Sequence, residues 1–279
     1  MMKEIQEGQE TGELVAIYAD LRQFCAVPYV SSLQRHVATM PGCLEYAWAI
    51  CRPVFASGQL QRRAWGLAQT VGDRPFPPLT PASLALMSVN STDLNAIRNI
   101  CANFVRVAPL NLLFAGVVEA LLKGAKPGNQ LMTEESWSPP PMLDTMPPMP
   151  PVESLDTSIQ AVMMQLATRL GGRPFVPGMY RLLAPWPAYL AHAASLIEPL
   201  IRSAQSQSSR KVIADSIVGA AQELLPHLAA PPPHLTAPSE AQSAAIIQAI
   251  HTYRVTSPEM IVIGTLLLDS LPAAAQTAS

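Results

Sequence analysis

Charged residues are scarce in this sequence. They make up 14% of its 279 residues, against roughly 25% in typical soluble domains. Lysine and arginine together number 18 and aspartate and glutamate 20, so the formal net charge is −2. A nucleic-acid-binding surface needs clustered basic residues, and so does a polybasic membrane anchor. The composition therefore predicts that neither a nucleic acid nor a membrane is a partner.

The motifs that hold a metal, a phosphate group or a redox cofactor are also missing. The four cysteines all lie in the first 101 residues and form no CxxC pair, and the five histidines are scattered. There is no glycine-rich phosphate loop, no GxSxG elbow and no HExxH zinc helix. We therefore predict no cofactor and no metal, and free, buried thiols in a reducing cytoplasm.

Long apolar runs are absent. The first residues, MMKEIQEGQETGE, are polar and acidic, which is not typical of a signal peptide. The longest clean apolar run, Met260 to Leu268, is much shorter than the about 20 residues of a membrane-spanning helix. The sequence therefore predicts a cytoplasmic protein without a membrane span. A small molecule is the expected partner, and the sequence leaves open whether two copies of the chain form a homodimer.

The apolar residues that are present recur at helical spacing. Aromatic residues make up only 6%, and no long stretch alternates as a strand would. Apolar residues at i, i+3, i+4 and i+7 place one face of a helix on a core. Three segments show this spacing: Leu14, Ile17, Tyr18 and Leu21; Leu44, Ala47, Trp48, Cys51, Val54 and Phe55; Ile246, Ile247, Ile250 and Tyr253. The pattern predicts an all-α fold.

Prolines are expected to separate the helices, because a proline inside a helix removes a hydrogen bond and clashes with the preceding turn. The prolines concerned are Pro28, Pro41, Pro109, Pro174, Pro187 and Pro258. Ser257-Pro258-Glu259 predicts the start of a helix, with serine as the cap. The helix dipole alone would then account for Glu259.

One segment of the chain is dense in proline. Residues 124–152 contain eight of the 28 prolines, which excludes regular helix and sheet there and predicts a semi-rigid extended linker. The linker divides the chain into a first helical repeat at 1–123 and a second at 153–279. Two such repeats are expected to pack as an intramolecular pseudo-dimer.

The two segments are related in sequence. A shift of 146 residues superimposes 27–48 on 173–194, with matches at Pro28/Pro174, Val30/Val176, Arg35/Arg181, Ala38/Ala184, Pro41/Pro187, Leu44/Leu190 and Ala47/Ala193. A slightly different offset aligns Pro109 with Pro258. The surface shared by two repeats is a natural place for a cavity.

Two of the matched residues suggest a ligand. Arg35 and Arg181 occupy equivalent positions, and two guanidinium groups near a symmetry axis could hold a carboxylate through paired hydrogen bonds. In the alternative, each arginine pairs with a local acid or caps a helix end. The same two interpretations stay open for Arg106 and Arg254.

The segment LVAIYADLRQFCAVPYVSSLQRHVATMPGCLEYAW resembles the group I 2-haloacid dehalogenases, the DehI family. The matching residues in the first repeat are Tyr18, Asp20, Arg22, Val27, Pro28, Tyr29, Val30, Ala38, Thr39, Pro41, Gly42, Leu44, Ala47 and Trp48. Leu183, Ala184, Trp186 and Pro187 match in the second repeat. The resemblance implies an all-helical pseudo-dimer around a buried active site.

The resemblance also implies a chemistry, which is hydrolysis at the α-carbon of a 2-haloacid. In that family an aspartate activates a water that displaces the halide directly, and an asparagine opposite holds the water. In this sequence, Met179 occupies the position of the family's aspartate, and Gly178 occupies the position of the serine before it. Ala108 occupies the position of the asparagine. One pocket aromatic is kept as Tyr29, whereas a second becomes Ser32. A thioether accepts no proton, and loss of a general base removes roughly 10²–10⁴ in rate.

We therefore predict a small organic, carboxylate-bearing ligand and chemistry that differs from direct hydrolytic dehalogenation. The expected site is a cavity between the repeats, with no catalytic residue assigned. Its predicted binding residues are Tyr29, Ser31, Ser32, Arg35, Ala108, Asn111, Gly178, Met179, Tyr180, Arg181 and Tyr253. The alternatives are a non-catalytic binding or scaffold protein and a true 2-haloacid dehalogenase with a different base. A buried titratable group near Tyr29 and Tyr180 would favour an enzyme.

Overall fold

The computed structural model describes residues 3–68, 75–130 and 137–273. These residues are mainly helical, and the all-α fold class is confirmed. The helices before the linker are α1 (Glu13–Cys25), α2 (Ser32–Val37), α3 (Cys43–Ala56), α4 (Gln59–Ala68), α5 (Pro81–Leu86) and α6 (Ser91–Leu122). The later ones are α7 (Thr157–Gln165), α8 (Gly178–Leu182), α9 (Pro187–Ile201), α10 (Ala204–Leu224) and α11 (Glu240–Ser270).

Short 3-10 turns lie at Val152–Ser154 and Leu225–His227. The described residues also form one antiparallel hairpin, of β1 (Thr168–Leu170) and β2 (Arg173–Phe175), in which Leu170 pairs with Arg173. Gly171 and Gly172 make its turn with positive φ angles of 56° and 80°, a region that glycine adopts without steric cost. Pro174 lies in β2, between α7 and α8, so it separates two helices as predicted.

The predicted faces of α1 and α3 are buried, whereas on the predicted face of α11 Ile246 and Ile250 are buried and Ile247 and Tyr253 are partly exposed. Leu14, Ile17, Tyr18 and Leu21 form the inner face of α1, and the six residues predicted for α3 are all buried. The Trp48 ring lies 5.0 Å from the Phe55 ring and 6.2 Å from the Phe24 ring, centroid to centroid. Aromatic packing at these distances stabilises a core beyond area burial alone.

The four cysteines are free and buried, as predicted. Cys43 and Cys51 lie on the same helix, α3, which is why a disulfide between them is not possible. Burial raises the pKa of Cys25, Cys51 and Cys101 to about 12. These thiols therefore stay protonated and act as small apolar groups.

The sequence prediction fails at two prolines. Pro109 lies inside α6 and Pro258 inside α11, and each is the nineteenth residue of its helix. Ser257 does not cap a helix: its hydroxyl donates to the carbonyl of Tyr253, 2.8 Å away, as serine does inside a helix. An interior proline costs about 3 kcal/mol or more, and the long buried faces on both sides of each proline offset this cost.

The chain divides into two compact units, each built from three separate segments. Unit 1 comprises Met1–Thr70, Arg106–Thr145 and Val212–Ser257. Unit 2 comprises Val71–Val105, Met146–Lys211 and Pro258–Ser279. The first part of α6 thus belongs to unit 2 and its remainder to unit 1, whereas α11 begins in unit 1 and ends in unit 2. The predicted boundaries at 1–123, 124–152 and 153–279 concern the sequence repeat and stay a prediction.

The proline-rich linker is attached to the protein by specific contacts. Its described residues 124–130 and 137–151 contain no helix or strand, and 131–136 lie outside the described residues. In unit 1, the Arg106 guanidinium donates to the carbonyls of Ala26 (3.1 Å) and Pro141 (2.7 Å). In unit 2, the Arg181 guanidinium donates to the Pro150 carbonyl through two nitrogens, at 2.9 and 2.6 Å.

One helix of the described residues, α6, is long and apolar enough to cross a membrane by length and composition. Polar side chains interrupt the apolar run of α6, which is why its length and apolar character could not be predicted from the longest uninterrupted run in the sequence. Within the most apolar part of α6, 72% of the residues are buried inside the protein. Core helices of soluble proteins have the same character, so α6 is weak evidence for a membrane span.

Candidate functional site

A buried polar cluster lies in unit 1. Ser31 precedes α2, Gln34 lies on α2, Asn111 on α6 and Tyr253 on α11. The Gln34 amide donates to Asn111 Oδ1 at 2.6 Å, and Asn111 Nδ2 donates to the hydroxyls of Ser31 and, at 3.2 Å, Tyr253. Gln34 is 1% exposed and Asn111 2%. Three residues predicted for the site, Ser31, Asn111 and Tyr253, are therefore brought together.

Two atoms of this region are buried without a hydrogen-bond partner among the described residues. They are the hydroxyl oxygen of Tyr29 and Oε1 of Gln34. Burial is the main cause that raises the pKa of Tyr29 well above its usual value, and the neighbouring Tyr253 raises it further. Tyr29 therefore keeps its proton and stays a hydrogen-bond donor. An unsatisfied buried polar group costs about 1–3 kcal/mol, a cost that a bound molecule with matching groups would remove.

Ser32 and Arg35 serve a different contact. The Ser32 hydroxyl donates to Glu4, and the Arg35 guanidinium binds Glu4 at 2.8 Å and reaches Glu7 at 3.6 Å. Glu7 also pairs with Arg22 at 2.8 Å. These contacts attach the first residues of the chain to α1 and α2. The interpretation of Arg35 as the partner of local acids is the one that the structure favours.

Arg181 and Arg254 are also engaged within their own units. Arg181 binds the linker carbonyl of Pro150, and desolvation lowers its pKa. Arg254 pairs with the buried carboxylate of Glu119, which also accepts hydrogen bonds from Lys123 (2.7 Å) and His251 (2.9 Å). Neither guanidinium is placed as the sequence analysis expected of a carboxylate clamp.

Met179 is fully buried in unit 2, at 0% exposure. Its sulfur would lie 3.6 Å from a Cβ atom built at Gly264 of α11. A Cβ at the neighbouring Gly178 would lie 2.6 Å from the Met149 methyl group and 3.4 Å from the Phe104 ring. Glycine and methionine therefore fit the packing at the two positions where the resemblance implies serine and aspartate. Ala108 is buried on α6.

Unit 2 contains a buried ionisable group, Glu259, whose burial the sequence alone could not show. The Tyr180 hydroxyl donates to Glu259 Oε1 at 2.8 Å, and Arg210 Nη1 lies 3.0 Å from Glu259 Oε2. Glu259 is 3% exposed and Tyr180 0%. Desolvation raises the pKa of Glu259, although Tyr180 and Arg210 oppose it, and it raises the pKa of Tyr180 well above its usual value. The prediction that the helix dipole alone explains Glu259 is wrong.

The described residues contain no group of three or more His, Cys, Asp or Glu side chains that could hold a metal ion. Two shallow apolar clefts lie in unit 1, lined among others by Val37, Ala47, Val118 and Ile246. None of the predicted site residues lines either cleft.

The helical fold is similar to that of solved D-2-haloacid dehalogenases. Three solved structures superimpose over 97% of this chain and 96% of theirs at 21% identity: a D-2-haloacid dehalogenase mutant (TM-score 0.73), such a mutant with D-2-CPA (0.71), and a D-2-haloacid dehalogenase with L-LA (0.72). The fold is therefore that of the D-2-haloacid dehalogenases.

In sequence, the chain is 25% identical to an (R)-2-haloacid dehalogenase of Pseudomonas putida over 221 residues, which cover 75% of this chain and 72% of the relative. No protein-family model matches the chain. The predicted resemblance is confirmed, and the chain is DehI-like in both sequence and fold.

Proposed function

We propose that this protein binds a small organic molecule at the polar cluster of unit 1, and that its chemistry differs from direct hydrolytic dehalogenation. The observation that carries the binding proposal is the pair of unpartnered, buried polar atoms, Tyr29 Oη and Gln34 Oε1, beside the Asn111 network. The contact between Asn111 and Tyr253 joins residues of the two predicted repeats. A solved relative in complex with D-2-CPA supports a small molecule as the ligand.

A carboxylate on this ligand was predicted from Arg35 and Arg181. Both guanidinium groups have other partners, namely Glu4 and Glu7 for Arg35 and the Pro150 carbonyl for Arg181. A carboxylate-bearing ligand therefore lacks its two expected anchors, and the binding proposal extends to uncharged molecules.

Calorimetric titration tests the binding. Wild type is titrated with 2-chloropropionate, lactate and the corresponding amides, and at least one of them is expected to bind. Asn111→Ala removes the residue that bonds Gln34, Ser31 and Tyr253, so its affinity should fall roughly tenfold or more. Asn95→Ala, at an exposed asparagine of α6, is the control and should bind as wild type does. The absence of binding to wild type would refute the proposal.

The replacement of the aspartate by Met179 supports the second part of the proposal. Because the Met179 thioether accepts no proton, we expect wild type to release no chloride from 2-chloropropionate under conditions where the acid or its amide binds. Chloride release is followed with a halide electrode. Release by wild type would refute this part and favour the second candidate.

The second candidate is hydrolysis of a 2-haloacid with a different base. Glu259 favours it, because a buried carboxyl group bonded to Tyr180 is the kind of titratable group that distinguishes an enzyme from a purely apolar binding protein. If wild type releases chloride, Glu259→Gln should abolish the release. Glu119→Gln, at the buried glutamate of unit 1, is the matched control and should retain it.

A further inference from the structure

Every side chain of the polar cluster in unit 1 is uncharged. Hydrogen bonds join Ser31, Gln34, Asn111 and Tyr253, and Tyr29 belongs to the cluster through its electrostatic interaction with Tyr253. Burial raises the pKa of both tyrosines, so both hydroxyls carry their protons near neutral pH. The cluster offers hydroxyl and amide groups, and it offers no counter-charge to an ion.

The charged groups next to the cluster balance one another. Arg35 pairs with Glu4 and approaches Glu7, and Glu7 pairs with Arg22. Two guanidinium groups thus face two carboxylates, and these four described side chains together carry no net charge. An anion that left water for this cluster would lose its hydration without gaining an ionic partner, which is strongly unfavourable.

The two unpartnered atoms define the ligand groups that fit. Tyr29 presents a hydroxyl donor, and Gln34 presents a carbonyl oxygen that accepts. A molecule that accepts a hydrogen bond from the Tyr29 hydroxyl and donates one to Gln34 Oε1 would satisfy both atoms. A reversed Gln34 amide would present N–H groups in place of the oxygen, but it would add no charge, so the conclusion about the ligand's charge does not depend on the orientation of this amide.

We infer that the ligand of this cluster is an uncharged small molecule with a hydrogen-bond acceptor beside a donor, of the primary-amide type, and not a carboxylate. The inference rests on the binding function proposed above and specifies its ligand class. It assigns this chain a preference different from that suggested by the names of its relatives.

A matched pair of probes tests the ligand class. 2-Chloropropionamide and 2-chloropropionate have nearly the same shape and differ in charge. We expect calorimetry at neutral pH to show that the amide binds wild type roughly tenfold or more tightly than the carboxylate does. Equal or tighter binding of the carboxylate would overturn the inference and leave the binding function standing. Binding of neither probe would overturn both proposals.

Tyrosine variants locate the binding. Tyr29→Phe should weaken amide binding roughly tenfold, because it removes the unpartnered donor. Tyr46→Phe, at a tyrosine of α3 outside the hydrogen bonds described for the cluster, should leave amide binding unchanged. Far-UV circular dichroism and the Tm confirm that each variant is folded, and Ser31→Ala replaces Tyr29→Phe if the latter does not fold. Equal amide affinity in the cluster variant and in Tyr46→Phe would contradict the assignment.

Discussion

At the scale of single residues, Glu119 and Glu259 are the buried acidic side chains of the described structure, at 6% and 3% exposure. Their pKa values move in opposite directions. Burial alone would raise the pKa of Glu119, but hydrogen bonds from Lys123 and His251 and the charge of Arg254 outweigh it and lower the value to about 2. At Glu259 desolvation prevails and the pKa is raised. Acid therefore weakens the contribution of Glu119 to stability and strengthens that of Glu259.

Glu119→Gln should lower the free energy of unfolding at pH 7 by about 2 kcal/mol, because it removes charge-assisted hydrogen bonds. The usual pKa of this carboxyl is 4.5 and the folded value about 2. Its stabilisation is therefore fully present above pH 4.5 and is lost as the pH falls toward 2. Urea unfolding at pH 7, 4 and 3 should show that the free energy of unfolding falls less with decreasing pH in the variant than in wild type.

The control for Glu119 is Glu198→Gln. Glu198 forms an exposed pair with Arg202 one helical turn away, and such pairs contribute about 0.3–0.5 kcal/mol. An equal loss of stability in both variants would contradict the account of Glu119.

Tyr180→Phe should destabilise the protein by about 1–3 kcal/mol, because it leaves a buried oxygen of Glu259 without its donor. Tyr189→Phe is the matched control: Tyr189 is also fully buried in unit 2, but its hydroxyl has no partner among the described residues. Its removal should cost nothing or stabilise slightly. Guanidinium unfolding of both variants measures the difference, and equal free energies of unfolding would show that the bond to Glu259 contributes no stability.

The contacts of Glu259 could not be predicted from the sequence. Its partners Tyr180 and Arg210 lie 79 and 49 residues away along the chain, and only the packing of helices brings them together. By contrast, Ser31, Asn111 and Tyr253 were predicted as binding residues, because Ser31 follows the pocket aromatic Tyr29 and the other two lie in the last helix of each predicted repeat. The partner Gln34 was missed, since a polar residue on a short helix is usually exposed.

At the scale of elements, local apolar spacing was sufficient to predict α1 and α3, whose inner faces agree with the structure. It was insufficient for α6 and α11, because a proline normally ends a helix and the sequence alone does not show how much apolar surface lies on each side. The burial of α6 explains why helix continues through Pro109. The free-energy cost of the proline at one position is smaller than the stabilisation gained by burying apolar surface along the remaining turns of the helix.

The linker offers a test at this scale. Gly128 donates to the Leu225 carbonyl at 2.9 Å, and a Cβ there would lie 2.6 Å from backbone atoms of Pro226. Gly128→Ala should therefore destabilise unit 1 by about 1–3 kcal/mol. Gly66→Ala is the matched control: no atom lies within 4 Å of a Cβ there, and alanine should stabilise α4 by up to about 1 kcal/mol. Thermal unfolding measures both, and similar Tm values would contradict the close approach at Gly128.

At the scale of the whole molecule, the two long helices α6 and α11 share the position of an interior proline. Each carries its interior proline at the nineteenth position, and the chain passes from one unit to the other within three residues of Pro109 in α6 and directly before Pro258 in α11. This correspondence supports the predicted tandem repeat, which stays a prediction. What sequence reasoning could not foresee is that each compact unit draws segments from both parts of the chain.

The interleaved units predict how the chain behaves when divided. Fragment 1–130 lacks Val212–Ser257 of unit 1, and fragment 137–279 lacks Val71–Val105 of unit 2. Each fragment alone should show little cooperative unfolding, because its apolar helix faces lack their partners. An equimolar mixture should regain helical circular dichroism and a single cooperative transition. A fragment that unfolds cooperatively by itself would contradict this expectation.

The buried thiols have a practical consequence. Cys25, Cys43 and Cys51 belong to unit 1 and Cys101 to unit 2, and all four are shielded in the folded protein. Because alkylating reagents attack only the exposed thiolate, iodoacetamide will modify each sulfur only during transient opening of its surroundings. Mass spectrometry of partly alkylated protein therefore measures, without any engineered label, which of the two units opens more often.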